Sequence, residues 1–155
     1  IGESALDFFS EKELNNAYEI YDYKDKKFRY YFLSYKNSNT YEYLQITVIP
    51  SDKKFIIHGV EGVILYENNI DDCYKKMENI KQEISDVLNK TSKNDEGSHP
   101  GYKNTTYKRA VFYFENGRAD LVCYDIDEKT NKTDRFSITL LNEELNNFLT
   151  YEAYE

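Results

Sequence analysis

The chain is expected to fold as a single α+β domain, 1–155, in the order α-βββ-α-βββ-α, with a mostly antiparallel sheet and a long amphipathic helix (about 69–90) packed on one face. Three observations lead there. Apolar residues between 69 and 90 recur at steps of three and four. The segments on either side alternate apolar and polar over strand-length runs. Asn116-Gly117 stands between two such runs, the strongest short signal for a hairpin. The length of 155 residues suits one domain.

Residues 1–9 read as a terminal segment with a few anchoring apolar side chains. Ser10-Glu11-Lys12-Glu13 has the form of a capping box, opening a short helix over about 11–18 with Leu14 and Ala17 inward. Residues 22–27 form a charged connector. Strands follow at Phe28–Tyr35, Tyr41–Ile49 and Lys54–Tyr66, separated by turn clusters at Lys36–Asn39 and Pro50–Lys53. Gly59 and Gly62 in the third strand suggest a bulge or bend. In the long helix Ile70, Cys73, Tyr74, Met77, Ile80, Ile84, Val87 and Leu88 make one face. Asn69 is its expected N-cap, and Asp71 and Asp72 suit the positive end of its dipole. Residues 91–106 read as a polar loop. The hairpin strands are Tyr107–Glu115 and Arg118–Ile126, and Asp134–Leu140 is the last strand. Asn142-Glu143-Glu144 caps a final helix presenting Leu145, Phe148 and Leu149.

Composition narrows function. With 20 basic and 28 acidic residues the net charge is −8, which disfavours nucleic-acid partners and anionic membrane surfaces and leaves basic proteins open. No apolar run is long enough for membrane insertion. There is no Gly-rich phosphate loop, no G-x-S-x-G and no H-E-x-x-H, and no cofactor is expected. No metal site is expected either. Asp125-Ile126-Asp127-Glu128 faintly resembles the start of a calcium loop, but Phe136 stands where its last ligand belongs. His58 shares a strand with apolar neighbours and reads as a packed histidine. Its functional alternative is a hydrolase using His58 and a carboxylate. His99 reads as a surface histidine.

Tyrosine is the unusual residue, with 16 in the chain and a crowd of them in the first third. Alternate tyrosines pave a sheet face, either as half-buried packing or as an amphipathic binding surface. Tyr30, Tyr41 and Tyr43 are the candidate binding residues, with the 91–106 segment as a possible rim. Cys73 lies on the helix's apolar face and Cys123 alternates in phase with Leu121. A helix packed on that hairpin can bring the two within disulfide reach; two buried free thiols is the alternative.

Ser4–Leu14 (SALDFFSEKEL), Asp71–Ile80 (DDCYKKMENI) and Phe112–Asp125 (FYFENGRADLVCYD) together resemble a group of uncharacterised small exported proteins of AT-rich marine bacteria. That resemblance implies export and pairing of Cys73 with Cys123, and no activity. The chain starts at Ile1 and Met77 is its only methionine, so it is expected to begin after something removed, either an export signal or an artificial boundary, and neither cause is visible in the sequence. The function expected is that of a small periplasmic or secreted non-enzymatic domain, binding an unknown protein or small ligand through its Tyr-rich face. The rival is a cytoplasmic acidic protein, secretion-chaperone-like or immunity-type, with a basic client.

Overall fold

A computed structural model describes residues 1–35, 40–67, 69–99, 103–130 and 132–153. The turn expected at Lys36–Asn39 lies outside them, as do residues 100–102 of the 91–106 segment. The fold is α+β, with one antiparallel sheet of eight strands and three α-helices. Helix α1 is Glu11–Asn15 and strand β1 is Glu19–Asp22. Next come β2 (Arg29–Ser34), β3 (Tyr43–Val48), β4 (Ile57–Tyr66) and α2 (Ile70–Leu88). They are followed by β5 (Lys93–Ser98), β6 (Thr106–Phe114), β7 (Gly117–Asp125), β8 (Asp134–Asn142) and α3 (Glu143–Tyr151). The strand order is β1-β2-β3-β4-β8-β7-β6-β5.

Each run of strands is therefore one strand longer than the alternation predicts. β1 falls just before the charged connector, and β5 falls inside the predicted polar loop. Both are edge strands. An edge strand needs no two-sided burial, and charge protects it from unwanted pairing. β5 (KNDEGS) is almost wholly exposed and carries no apolar alternation to read. It is specified instead by its partner: Asp95 stands directly opposite Arg109 on β6, and the two form a bidentate ion pair at 2.8 and 2.7 Å. β1 repeats the device, with Asp22 opposite Arg29 on β2. The first helix is shorter than predicted and stops at Asn15, before Ala17.

These pairs make stability acid-sensitive. Hydrogen bonds from Arg29 and Arg109 hold the Asp22 and Asp95 carboxyls below the ordinary value of 3.8. A depressed carboxyl contributes stability above its unfolded pKa, and that contribution disappears as pH falls through the folded one. The urea midpoint should thus drop as pH is lowered from about 5 toward 2. Asp95→Asn should show a shallower drop; an unchanged pH profile in that variant would rule out the pair's contribution.

The chain divides into two compact units. The first comprises Ile1–Gly62, Glu115–Arg118 and Thr139–Glu155. One of its cores joins Ala5 and Leu14 to Tyr31, Leu33, Ile46, Val48 and Ile57. The expected capping box is present: Ser10 Oγ accepts from Glu13 N, and Ser10 N donates to Glu13 Oε2 at 2.8 Å. A second core sets Leu145 and Phe148 of α3 against Phe28 and Leu141. Asn142 caps α3 as the sequence predicts, its Oδ1 accepting from Leu145 N at 2.9 Å.

The second unit comprises Val63–Phe114 and Ala119–Ile138. Its core sets Cys73 and Met77 of α2 on Ala110, Phe112, Ala119, Leu121, Cys123 and Phe136. Asn69 caps α2 by accepting from Asp72 N. The helix's apolar face runs out before its end: Val87 is 82% exposed, contrary to its predicted inward position, and Leu88 is exposed as well. Cys73 and Cys123 form a disulfide with Cα atoms 6.0 Å apart. No helix among the described residues is long and apolar enough to cross a membrane.

Candidate functional site

Antiparallel register decides which side chains share a face. Tyr21 stands opposite Tyr30, Tyr30 opposite Thr47, Phe32 opposite Gln45, and Ser34 opposite Tyr43. Tyr21, Tyr30, Phe32 and Tyr43 thus point to one side, and Tyr31, Leu33, Ile46 and Val48 to the other, where they are buried. The aromatic face is organised as two stacks. Tyr21 lies on Tyr30 with centroids 5.3 Å apart, and Phe32 lies on Tyr43 at 5.0 Å, a diagonal cross-strand pair. Tyr23 stands edge-on to Tyr21, Tyr30 and Phe148, closing one end of the strip with α3. Tyr18 stands edge-on to Phe32.

Tyr30 and Tyr43 share this face but belong to separate stacks. Tyr41 is placed differently. It precedes β3, and its ring covers Gly62, where an added Cβ would lie 2.8 Å from the ring carbons. The glycine is required by that close approach, and Tyr41 packs against backbone. The Tyr30 hydroxyl donates to Glu19 Oε1 at 2.5 Å. Burial, and then the Glu19 carboxylate, push this phenol above its ordinary value, so it stays protonated as a donor.

Exposure concentrates at the β1 edge. Tyr18 is 81% exposed, and Ile20 and Tyr21 are also well exposed. Beside Tyr18 lies a groove of about 740 Å³ walled by Phe8, Phe9, Ala17, Leu33 and Tyr35. Phe8 is itself exposed, while Phe9 meets Tyr35 edge-on at 6.2 Å. Sequence reasoning missed β1, Phe8 and Tyr18 as site residues. The available signal was the recurrence of aromatic side chains from Phe8 to Tyr23 outside any strong periodicity.

His58 does acquire a carboxylate. Its Nδ1 is 3.3 Å from Glu144 Oε2 and 2.9 Å from Asn142 Nδ2. Because capping commits Asn142 Oδ1 to Leu145 N, the amide presents Nδ2 to the ring, and Nδ1 accepts. Phe28 closes on the imidazole edge-on, and His58 is only 8% exposed. His58 does not border the groove described above. Its contacts tie β4 to the first turn of α3. The aromatic strip combines flat rings, a phenol fixed on Glu19 and an edge strand.

No family model matches the chain, and no curated protein or solved structure matches it.

Proposed function

We propose that this protein is an exported, non-catalytic binding domain that engages an extended segment of another protein along its tyrosine-rich strand face and β1 edge. The observation that carries the reading is the coincidence of an edge strand with the exposed aromatics Tyr18 and Tyr21 and the adjoining groove. A strand at the end of a sheet offers a row of backbone donors and acceptors, and flanking pockets for alternate side chains give specificity. Tyr30 stacks on the exposed Tyr21, and Tyr43 stacks on Phe32, which Tyr18 meets edge-on. Tyr supplies large contact area at low entropic cost, which suits it to such surfaces. The net charge of −8 favours a segment carrying basic residues.

The buried Cys73–Cys123 disulfide supports export, because such bonds persist in oxidising compartments. It weighs against the cytoplasmic chaperone-like reading.

Peptides selected from a displayed random library against the intact protein test the proposal. They should protect β1 amides from hydrogen exchange and lose about tenfold or more in affinity for Tyr18→Ala and Tyr21→Ala. Tyr151→Ala, an exposed tyrosine on α3, should change nothing. Selected peptides that leave β1 unprotected and ignore Tyr18 and Tyr21 would sink the reading.

A further inference from the structure

The second unit holds a cavity of about 270 Å³. In a chain of net charge −8, every charged residue lining it among the described residues is a cation: Lys103, Lys132 and Arg135. Tyr124 and Ile126 supply an apolar wall, and buried Thr105 completes the rim near Lys103. Arg135 is held over the Tyr124 ring with its guanidinium carbon 4.8 Å from the centroid. Its Nε is buried with no hydrogen-bond partner among the described residues. Such a donor is costly to leave unpaired.

Two nearby aspartates, neither among the described lining residues, accept hydrogen bonds from other groups. Asp134 Oδ1 accepts from Ile126 N at 2.9 Å. Asp127 accepts from Lys129 N at 3.0 Å and from Asn104 Nδ2 at 2.9 Å. Among the described residues neither Arg135 nor Lys103 forms an ion pair. Close to Lys103 in sequence, His99 N donates to Thr105 O at 2.8 Å.

We infer that this cavity binds a small organic oxyanion, its phosphate or carboxylate head gripped by Arg135 with Lys103 and Lys132, and its apolar body lying against Tyr124 and Ile126. A guanidinium presents a planar fork that matches an oxyanion in two-point contact, and the two ammonium groups add charge without demanding geometry. The volume admits a molecule about the size of a substituted benzene ring and no dinucleotide. The site is separate from the aromatic strip and stands without it.

His99 provides a reporter. Its ring lies 5.7 Å from the Tyr124 ring, and burial, with the Arg135 charge second, holds its pKa below the ordinary value. An anion on Arg135 offsets that charge and should raise the His99 pKa.

Calorimetric and NMR titrations of the intact protein with phenyl phosphate, benzoate, inorganic phosphate and phenol test the site. Saturable binding of phenyl phosphate or benzoate is expected, and whichever is tighter identifies the head group. Phenol should not bind, and affinity should fall with added salt. Arg135→Gln should weaken binding about tenfold or more, and the surface variant Lys103→Gln by roughly threefold or more. Three results would overturn the inference: no saturable binding of either aromatic anion, binding unchanged in both variants, or inorganic phosphate binding as tightly as phenyl phosphate, which would leave the apolar wall without a role.

Discussion

Reduction of the Cys73–Cys123 disulfide should lower stability by about 4 kcal/mol, because it releases a closed loop of roughly fifty residues in the unfolded chain. In a protein of this size that corresponds to a fall of roughly 8–16 °C in Tm. The loss would be a large share of the about 5–15 kcal/mol that separates folded from unfolded chains. Both cysteines are fully buried between α2 and β7, among Met77, Phe112, Leu121 and Phe136. Cys73→Ala/Cys123→Ala should therefore lose somewhat more than reduction does, since two small voids replace sulfur in a packed core. Thermal and urea unfolding with and without reductant, and of the double variant, measure both effects. A reductant effect below about 1 kcal/mol would mean that closing the loop does not stabilise this fold. Intact-mass analysis of natively sourced protein after alkylation adds the compartment: labelling only after reduction is the outcome expected of an exported chain.

The elements legible in the sequence were those whose pattern is written in their own side chains. α2 could be read from its three-and-four spacing and its Asn69 cap, and α1 and α3 from Ser10 and Asn142. β6 and β7 announced themselves by Asn116-Gly117 between apolar runs. β1 and β5 did not, because an edge strand draws its stability from cross-strand partners remote in sequence. Nothing in KNDEGS reveals that Arg109 waits opposite Asp95. The candidate site divides the same way. Tyr30 and Tyr43 follow from strand alternation, whereas the position of Tyr41 over Gly62 depends on how the chain enters β3. The groove at Phe8 and Tyr18 and the cation-lined cavity at Arg135 join segments separated in sequence, and single-sequence periodicity carries no information about either. His58 was read correctly as a packed residue, yet its partners Asn142 and Glu144 lie more than eighty residues away.

Gly117→Ala should be the most damaging single substitution in the hairpin, at about 4 kcal/mol or more, through backbone strain and collision together. The Asn-Gly pair explains a turn, but the glycine is needed for a further reason. Its φ of +150° lies where L side chains are rarely found. A Cβ there would collide with the carbonyl oxygen of Leu141 and come within 3.0 Å of Asn142 Cα. Both are backbone atoms at the junction of β8 and α3, so no rotamer change relieves the clash. Asn116 O also accepts from Glu143 N at 3.0 Å, which ties this turn to the same junction. Displacing it disturbs the Asn142 cap and with it the Nδ2 contact to His58. Gly117→Asn tests the same two causes with a second side chain. Asparagine tolerates the left-handed helical region but not φ +150°, so strain and collision both persist and it should be as harmful as alanine. Gly97→Ala is the matched control. It lies in β5, its backbone φ is ordinary, and an added Cβ meets nothing nearer than the Tyr107 hydroxyl at 3.4 Å. That variant should stay within about 1 kcal/mol of the parent. Urea midpoints of the three variants decide the matter: a mild Gly117→Asn would mean that β8 yields at Leu141, and equal losses at Gly97 and Gly117 would mean that the collision is not what matters.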